Sequence, residues 1–333
     1  MRLLFTVSVM LTFPVAVAAP GALACDLPPP AVRDLDVQRF YADRAGSAVD
    51  PVLKALHVRG TAPVRDWLSH AVKDADSSLR QSTPSLRSYK ARCALEWLER
   101  WASEGALTGT LTSKQAEAER RWTLAGAALA YLKVRPHASS EQRRVIGRWL
   151  KVLALRSSAA FKSSGAKPNN HLSWLGLGLA ATALATDDAA LWQQARRIFR
   201  TGAESVGLDG TLPLEVARGA RALHYHVFAA MPLVTLASLA AWRGEDWTAD
   251  GGGGLQRLVL QTRAGLADPQ LFDQLAGVRQ ERPVNPGAGW LQLAAGLFPG
   301  EHALPDPETP AGHRWLGGNV LLLRQALTGG APK

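Results

Sequence analysis

Apolar residues recur at helical spacing along most of this chain, and that period limits what it can fold into more than any other feature. From about Pro63 onward they come in blocks of about ten to twenty residues, such as Ala94, Leu95, Leu98, Trp101 and Ala102, or Trp122, Ala125, Ala128, Leu129 and Leu132. Strand-type alternation is scarce. Segments rich in Gly, Pro, Ser and Asp part the blocks at 103–109, 135–140, 163–168, 186–188, 207–213, 244–254, 281–289 and 299–312. About nine or ten helices fit between them. Short links between long helices make antiparallel hairpins, and a row of hairpins closes as a solenoid or as an α/α toroid. No fixed-period repeat runs through the sequence, which favours the toroid. The expected class is all-α.

The chain opens with Arg2, an apolar run over 3–19, and then Ala22, Leu23, Ala24, the pattern of a secretory signal peptide with an A-x-A cleavage site. Residues 1–24 are expected to be removed, and residues 25–333 to form one domain, a length that a single toroid absorbs. Residues 27–58, with Pro28 to Pro30 and the turn at Ala45, Gly46 and Ser47, read mostly as an extended arm and loop. The longest later apolar run, Leu175 to Leu184, falls short of the roughly 20 residues that cross a bilayer and is closed by Asp187 and Asp188. A soluble, monomeric, periplasmic protein is therefore expected. Two cysteines, Cys25 and Cys93, suggest one disulfide in an oxidising compartment. A cysteine directly after the cleavage site is also where a bacterial lipoprotein is modified, so both readings of Cys25 stay open.

The formal net charge is +10, which points to an acidic partner or to a basic surface. Export argues against nucleic acid, and the basic residues are scattered rather than gathered in a tail or recognition helix, so an acidic polysaccharide is the expected partner. Of the eleven tryptophans, Trp97, Trp101, Trp122 and Trp149 read as helix core. Trp174 and Trp290 are the candidates for a flat face against a sugar ring.

Two segments concentrate chemistry. In the first, Lys167, Pro168, Asn169, Asn170, His171, Leu172, Ser173 and Trp174, an Asn caps a helix start. The same spacing gathers Asn170, His171 and Trp174 at a positive helix end suited to a carboxylated sugar. In the second, Asp209 and Gly210 make a turn, Pro213 marks a helix start, and Arg218, Arg221 and Tyr225 fall at i, i+3 and i+7, on one helix face. A solvated basic face is the other reading of that pattern. His224 and His226 have no third ligand at zinc-type spacing, so no metal is expected.

In these two segments the chain resembles the alginate lyases of polysaccharide lyase family five, through Asn170-His171-x-x-Trp174 preceded by Asn169, and through Arg218-Gly219-x-Arg221-Ala222-Leu223-x-Tyr225-His226. Cys93, Ala94 and Leu95 on their helix, and Leu316, Gly317 and Gly318 near the C-terminus, extend the resemblance over nearly the whole mature chain. It implies an incomplete α/α toroid with a deep cleft, and catalytic roles for Asn170, His171, Arg218 and Tyr225. Substrate contacts are expected from Arg44 on the N-terminal loop, Trp174, Arg221, Trp290 and Arg314. Two departures bear on substrate choice: Ser173 stands where many members have Tyr, and Trp315 rather than Arg precedes Leu316.

β-Elimination from a uronate needs a partner for the carboxylate, a base for the C5 proton and an acid for the C4 oxygen. By resemblance, Asn170, His171 and Arg218 neutralise the carboxylate. Tyr225 then serves as base and acid on mannuronate, while His171 becomes the base for the opposite C5 configuration. The reaction needs no cofactor. Mannuronate-rich alginate is the expected substrate, with polyglucuronate, hyaluronan or a mixed uronate as alternatives, and a non-catalytic polyuronate-binding protein as the competing class.

Overall fold

Helix α6 (Ala189–Glu204) shows how these elements form: its buried residues Leu191, Trp192, Ala195, Ile198, Phe199, Gly202 and Ala203 make one stripe at three- and four-residue spacing, and Asp188 caps its first turn. Helices α5 (Asn170–Thr186) and α8 (Ala222–Trp242) differ in being apolar on every face and buried almost throughout. Helices of the first kind pack outside helices of the second. The computed structural model describes residues 24–283, 289–300 and 312–328. Its remaining helices are α1 (Pro51–Arg80), α2 (Pro84–Ser103), α3 (Lys114–Val134), α4 (Ser140–Ser163), α7 (Pro213–Val216), α9 (Gly254–Ala267), α10 (Gln270–Ala276), α11 (Trp290–Leu297) and α12 (Val320–Thr328).

Each of α1, α3, α5 and α8 packs against the next to form an inner layer, with α2, α4, α6 and α9 outside them. Short α11 packs on α8, and α12 touches α8, α3 and α1, so the ring is completed by short helices rather than by another full hairpin. This is the incomplete α/α toroid. Among the described residues, the one helix long and apolar enough to cross a membrane is 219–242, not Leu175 to Leu184, and 83% of its apolar window is buried in the fold.

The arm is extended only as far as Asp50. Asp50 caps α1 by accepting from the amides of Val52 and Leu53, Pro51 fills the first turn, and Pro63 lies inside the helix rather than at its start. Before that the arm is laid along α2. Cys25 is joined to Cys93, and the indoles of Trp97 and Trp101 donate to the carbonyls of Asp26 (2.8 Å) and Pro29 (3.0 Å). The Cys25 sulfur that lipidation would use is occupied in this bond. Of the expected signal peptide only Ala24 lies among the described residues.

A C-terminal hairpin, β1 (Gly312–His313) and β2 (Gly318–Asn319), closes over α1 and α3. Gly317 and Gly318 have φ of +68° and +92°, and a Cβ on them would run into the α3 backbone and into Asp76 respectively. Beneath them the fully buried Lys133 donates to Asp76 (2.5 Å) and to the carbonyls of Gly317 (2.6 Å) and Asn319 (2.9 Å). Burial pulls the Lys133 ammonium below its usual pKa, against the pull of Asp76. Asp76→Asn strips the counter-charge from a buried ammonium, which costs about 3–5 kcal/mol. The expected result is a clearly lower melting temperature; an unchanged one would show that the pair does not latch the hairpin.

Candidate active site

A cleft of about 1370 Å³ opens where the inner helices begin. Its walls take Lys54 and His57 from the first turns of α1, Gln115, Arg121 and Trp122 from α3, His171 from α5, and Tyr225 and Phe228 from α8. Four helix N-termini therefore face one space, and each adds positive potential to it. Among the described residues eleven arginines and lysines line the cleft against two carboxylates. Both carboxylates are engaged, Glu117 by Arg120 at 2.5 Å and Glu281 by Arg221 at 3.4 Å. Such a cleft holds a polyanion.

Arg218, Arg221 and Tyr225 do converge, but not on one helix. The chain breaks at Gly219 (φ +56°), so α7 ends at Val216, a 3₁₀ turn spans Gly219–Arg221, and α8 starts at Ala222. A glycine in the left-handed region ends the helical run that the spacing suggested. The guanidinium carbon of Arg218 lies 4.4 Å from the Tyr225 ring centroid and that of Arg221 lies 5.4 Å away. Tyr225 is only 8% exposed and is no snorkelling surface residue.

The arm supplies a residue that sequence reasoning missed. Tyr41 places its hydroxyl 2.5 Å from that of Tyr225 and accepts a hydrogen bond from Arg221 Nη1. Burial, reinforced by Tyr225, raises the Tyr41 pKa well above that of an ordinary phenol. Arg221 can only donate, so it fixes the Tyr41 oxygen beside that of Tyr225, and either hydroxyl can donate across the pair. Arg44 lines the cleft from the same loop, which Asp43 ties down through Ser47 and Ala48. Arg218 Nη1 donates to Ala45 O at 2.7 Å, closing the loop onto the site.

His171 lines the cleft, with Nδ1 buried and without a partner. Burial, then the charges of Arg121 and Arg218, lower its pKa to about 3, so the ring is neutral at any ordinary pH. Asn170 is buried behind the wall rather than on it. Its Nδ2 and backbone N–H both donate to Glu215 Oε1, at 2.9 and 3.0 Å. Burial raises the Glu215 pKa against the opposing pull of Asn170 and Arg218. Asn170 and Arg218, which stands 3.6 Å from Glu215, are thus tied to one buried carboxyl.

Neither Trp174 nor Trp290 faces the cleft. Trp174 is fully buried and its indole donates to Phe228 O at 3.1 Å; Trp290 is fully buried in the core. Ser173 is buried near Gly202, away from the cleft. The tryptophans on the cleft wall are Trp122 and Trp315, stacked with centroids 4.5 Å apart. Arg65 lies 5.4 Å over Trp315, and Arg314 lines the cleft beside it. Arg65 is set by the buried Glu119: burial pushes that carboxyl up, but hydrogen bonds from His57 and Arg65 outweigh it and hold it low. His226 is a satisfied core histidine, taking the Leu212 amide on Nε2 and facing Ala222 O through Nδ1, each at 2.8 Å. Among the described residues no group of three or more His, Cys, Asp or Glu is placed to hold a metal ion.

Four histidines have depressed pKa values, His171 to about 3 and His224, His226 and His313 to about 4, burial being the first cause in each. Between about pH 4 and 6.5 the unfolded chain binds protons there that the folded one refuses. Their contribution to stability is complete above about pH 6.5 and is lost as pH falls towards 4. Thermal melts from pH 7.5 down to 4.5 are expected to show a falling midpoint; a flat profile would contradict the burial of these rings.

A cationic cleft at the open end of a helical toroid, with a tyrosine between two guanidiniums, defines the class of toroidal polysaccharide lyases. Residues 37–272 match the alginate lyase family model, and the chain belongs to that family. A polysaccharide lyase of Stenotrophomonas maltophilia is 38% identical over 315 residues, covering 92% of each chain. An alginate lyase of Pseudomonas fluorescens is 30% identical over 268 residues, covering 77% of this chain and 70% of that one. Among solved structures, alginate lyase A1-III of a Sphingomonas species superposes with a TM-score of 0.72 at 21% identity, covering 90% of this chain and 85% of that one. A variant of A1-III complexed with a tetrasaccharide gives 0.76 at 22%, covering 92% and 88%.

Proposed function

We propose that this protein is a polysaccharide lyase that cleaves alginate by β-elimination, with mannuronate-rich chains preferred and Tyr225 as the residue that moves the proton. The observation that carries the reading is Tyr225 itself, ringed by Arg218 and Arg221 and hydrogen-bonded to a Tyr41 that stays protonated. The Tyr225 oxygen faces the Tyr41 hydroxyl, and both guanidiniums lie over its ring, so the proton-transferring atom sits in a cationic surround. The phenolate removes the C5 proton, the electron pair forms the C4–C5 double bond, the C4–O bond breaks, and Tyr225–OH returns the proton to the leaving oxygen. One residue performs both transfers only when the proton and the leaving oxygen lie on one face of the ring, which is the mannuronate arrangement. His171, with a pKa of about 3, is a weak base, which speaks against the alternative route for the opposite C5 configuration. Its neutral imidazole and the Arg218 guanidinium instead meet the substrate carboxylate, where charge builds as C5 loses its proton. Asn170 acts from behind, through Glu215.

The apolar N-terminal run and the Cys25–Cys93 bond support a periplasmic location. One hydrophobic cluster running through all the inner helices supports a single domain. The test is a panel of polymannuronate, polyguluronate, polyglucuronate and hyaluronan, followed by the ultraviolet absorbance of unsaturated product. Polymannuronate is expected to react fastest. Faster cleavage of another polymer would overturn the preference, and binding without product would favour a non-catalytic polyuronate-binding protein.

A further inference from the structure

We propose that Arg121 is a second carboxylate anchor in the cleft, holding the uronate next to the one that reacts at Tyr225. Arg121 leaves α3 towards the gap between the end of α4 and the start of α5. It lines the cleft, is 6% exposed, and stands 5.8 Å over the Phe161 ring. Its Nε is buried without a hydrogen-bond partner, and among the described residues it has no ion pair. Its neighbour Arg120 shows what a satisfied guanidinium on this helix looks like, bonded to Ser157 Oγ at 3.2 Å and to Glu117 at 2.5 Å. Arg120 thereby takes up the carboxylate that stands nearest Arg121. Burial, with Arg120 adding to it against Glu117, draws the Arg121 pKa down to about 10.

A guanidinium this buried, with its Nε unpartnered and the nearest carboxylate already bonded to Arg120, is costly to the folded protein. It is tolerated where an anion arrives with the ligand. Its planar fork matches a carboxylate in two-point contact, and the ring of Phe161 offers no hydrogen-bond acceptor to compete for it. His171 lies near this arginine, its ring stacked 5.7 Å from that of the adjacent Trp122, and the charges of Arg121 and Arg218 both bear on it. Arg218 belongs to the Tyr225 side, where it packs on the reacting tyrosine. Two cationic positions therefore stand near His171, and a polyuronate carries one carboxylate on every sugar.

This inference rests on the polyuronate reading, so binding and cleavage are measured separately on the full chain. Arg121→Met and Arg121→Lys are compared with wild type for kcat and KM on polymannuronate, for polymannuronate affinity by calorimetry, and for melting temperature. Arg121→Met is expected to raise KM and Kd about 10- to 100-fold, the scale of a charge-assisted contact, while kcat changes less than about threefold. Its melting temperature without polymer is expected to stay level or rise, because an unpaired buried charge has been replaced by an apolar side chain of similar length. Arg121→Lys should recover part of the affinity. Unchanged affinity in Arg121→Met, or a lower melting temperature, would overturn the proposal by making Arg121 a bystander or a structural residue. Wild type that binds polymannuronate without cutting it removes the lyase reading alone, and weaker binding by Arg121→Met then still supports the anchor.

Discussion

Tyr225→Phe is expected to abolish β-elimination, lowering kcat by about 10³- to 10⁴-fold, near the top of the range for a positioned acid or base because one oxygen serves both proton transfers. The substitution keeps the ring that packs 4.4 Å from Arg218 and 6.4 Å from Phe228 and removes only the oxygen bonded to Tyr41. Losing one hydrogen bond of about 1 kcal/mol shifts melting by a few degrees at most. Polymer affinity should hold, since the guanidiniums and the tryptophan wall remain. The decisive readings are the rate of ultraviolet-absorbing product and the Kd for polymannuronate. Residual kcat within about tenfold of wild type would pass the proton role to another group, with His171 the first to examine.

The motif that carries Tyr225 was legible in the sequence, whereas the walls around it were not, and the difference has a physical basis. The outer helices carry one apolar stripe each, so α6 could be read with its buried face. The inner helices are apolar all round, and nothing in α5 or α8 marks which side meets the cleft. Trp174 and Trp290 therefore read as the sugar-facing pair and Trp122 as core. A signal did exist, since Trp122 follows Glu119, Arg120 and Arg121, and Trp315 follows Arg314. Charged residues cluster on a buried helix only where it borders water or a polar site.

The start of α1 was also written in the sequence, as Asp50 before Pro51, but Pro63 drew attention as the louder breaker. Tyr41 was the harder omission. Its partner Tyr225 is 184 residues away, and the two meet only because the arm is pinned to α2 by Cys93, Trp97 and Trp101 before it turns into the cleft. Asn170 reads from its motif as a partner for the substrate carboxylate, yet its amide is turned to Glu215, a residue whose place in the Pro213 turn gave it no functional look.

Arg218→Met is the second substitution expected to act strongly, lowering kcat by about 10²- to 10³-fold, the usual loss when a group that meets developing charge is removed. Negative charge moves onto the uronate carboxylate only as the C5 proton leaves. An interaction with that charge is stronger in the transition state than with the bound substrate, so kcat should fall more than KM rises. Arg218 also stands 3.6 Å from the buried Glu215 and holds Ala45 of the arm loop at 2.7 Å. Without it, burial pushes the Glu215 carboxyl further towards its neutral form, which weakens the acceptor that orients Asn170. Arg218→Lys restores a positive charge but not the planar fork that reaches tyrosine, loop and carboxyl together, so only partial recovery is expected. Single-turnover rates on polymannuronate with both variants separate the two contributions: lysine recovering most of the lost rate would reduce Arg218 to a point charge, and methionine retaining kcat within a few-fold of wild type would remove it from the chemistry.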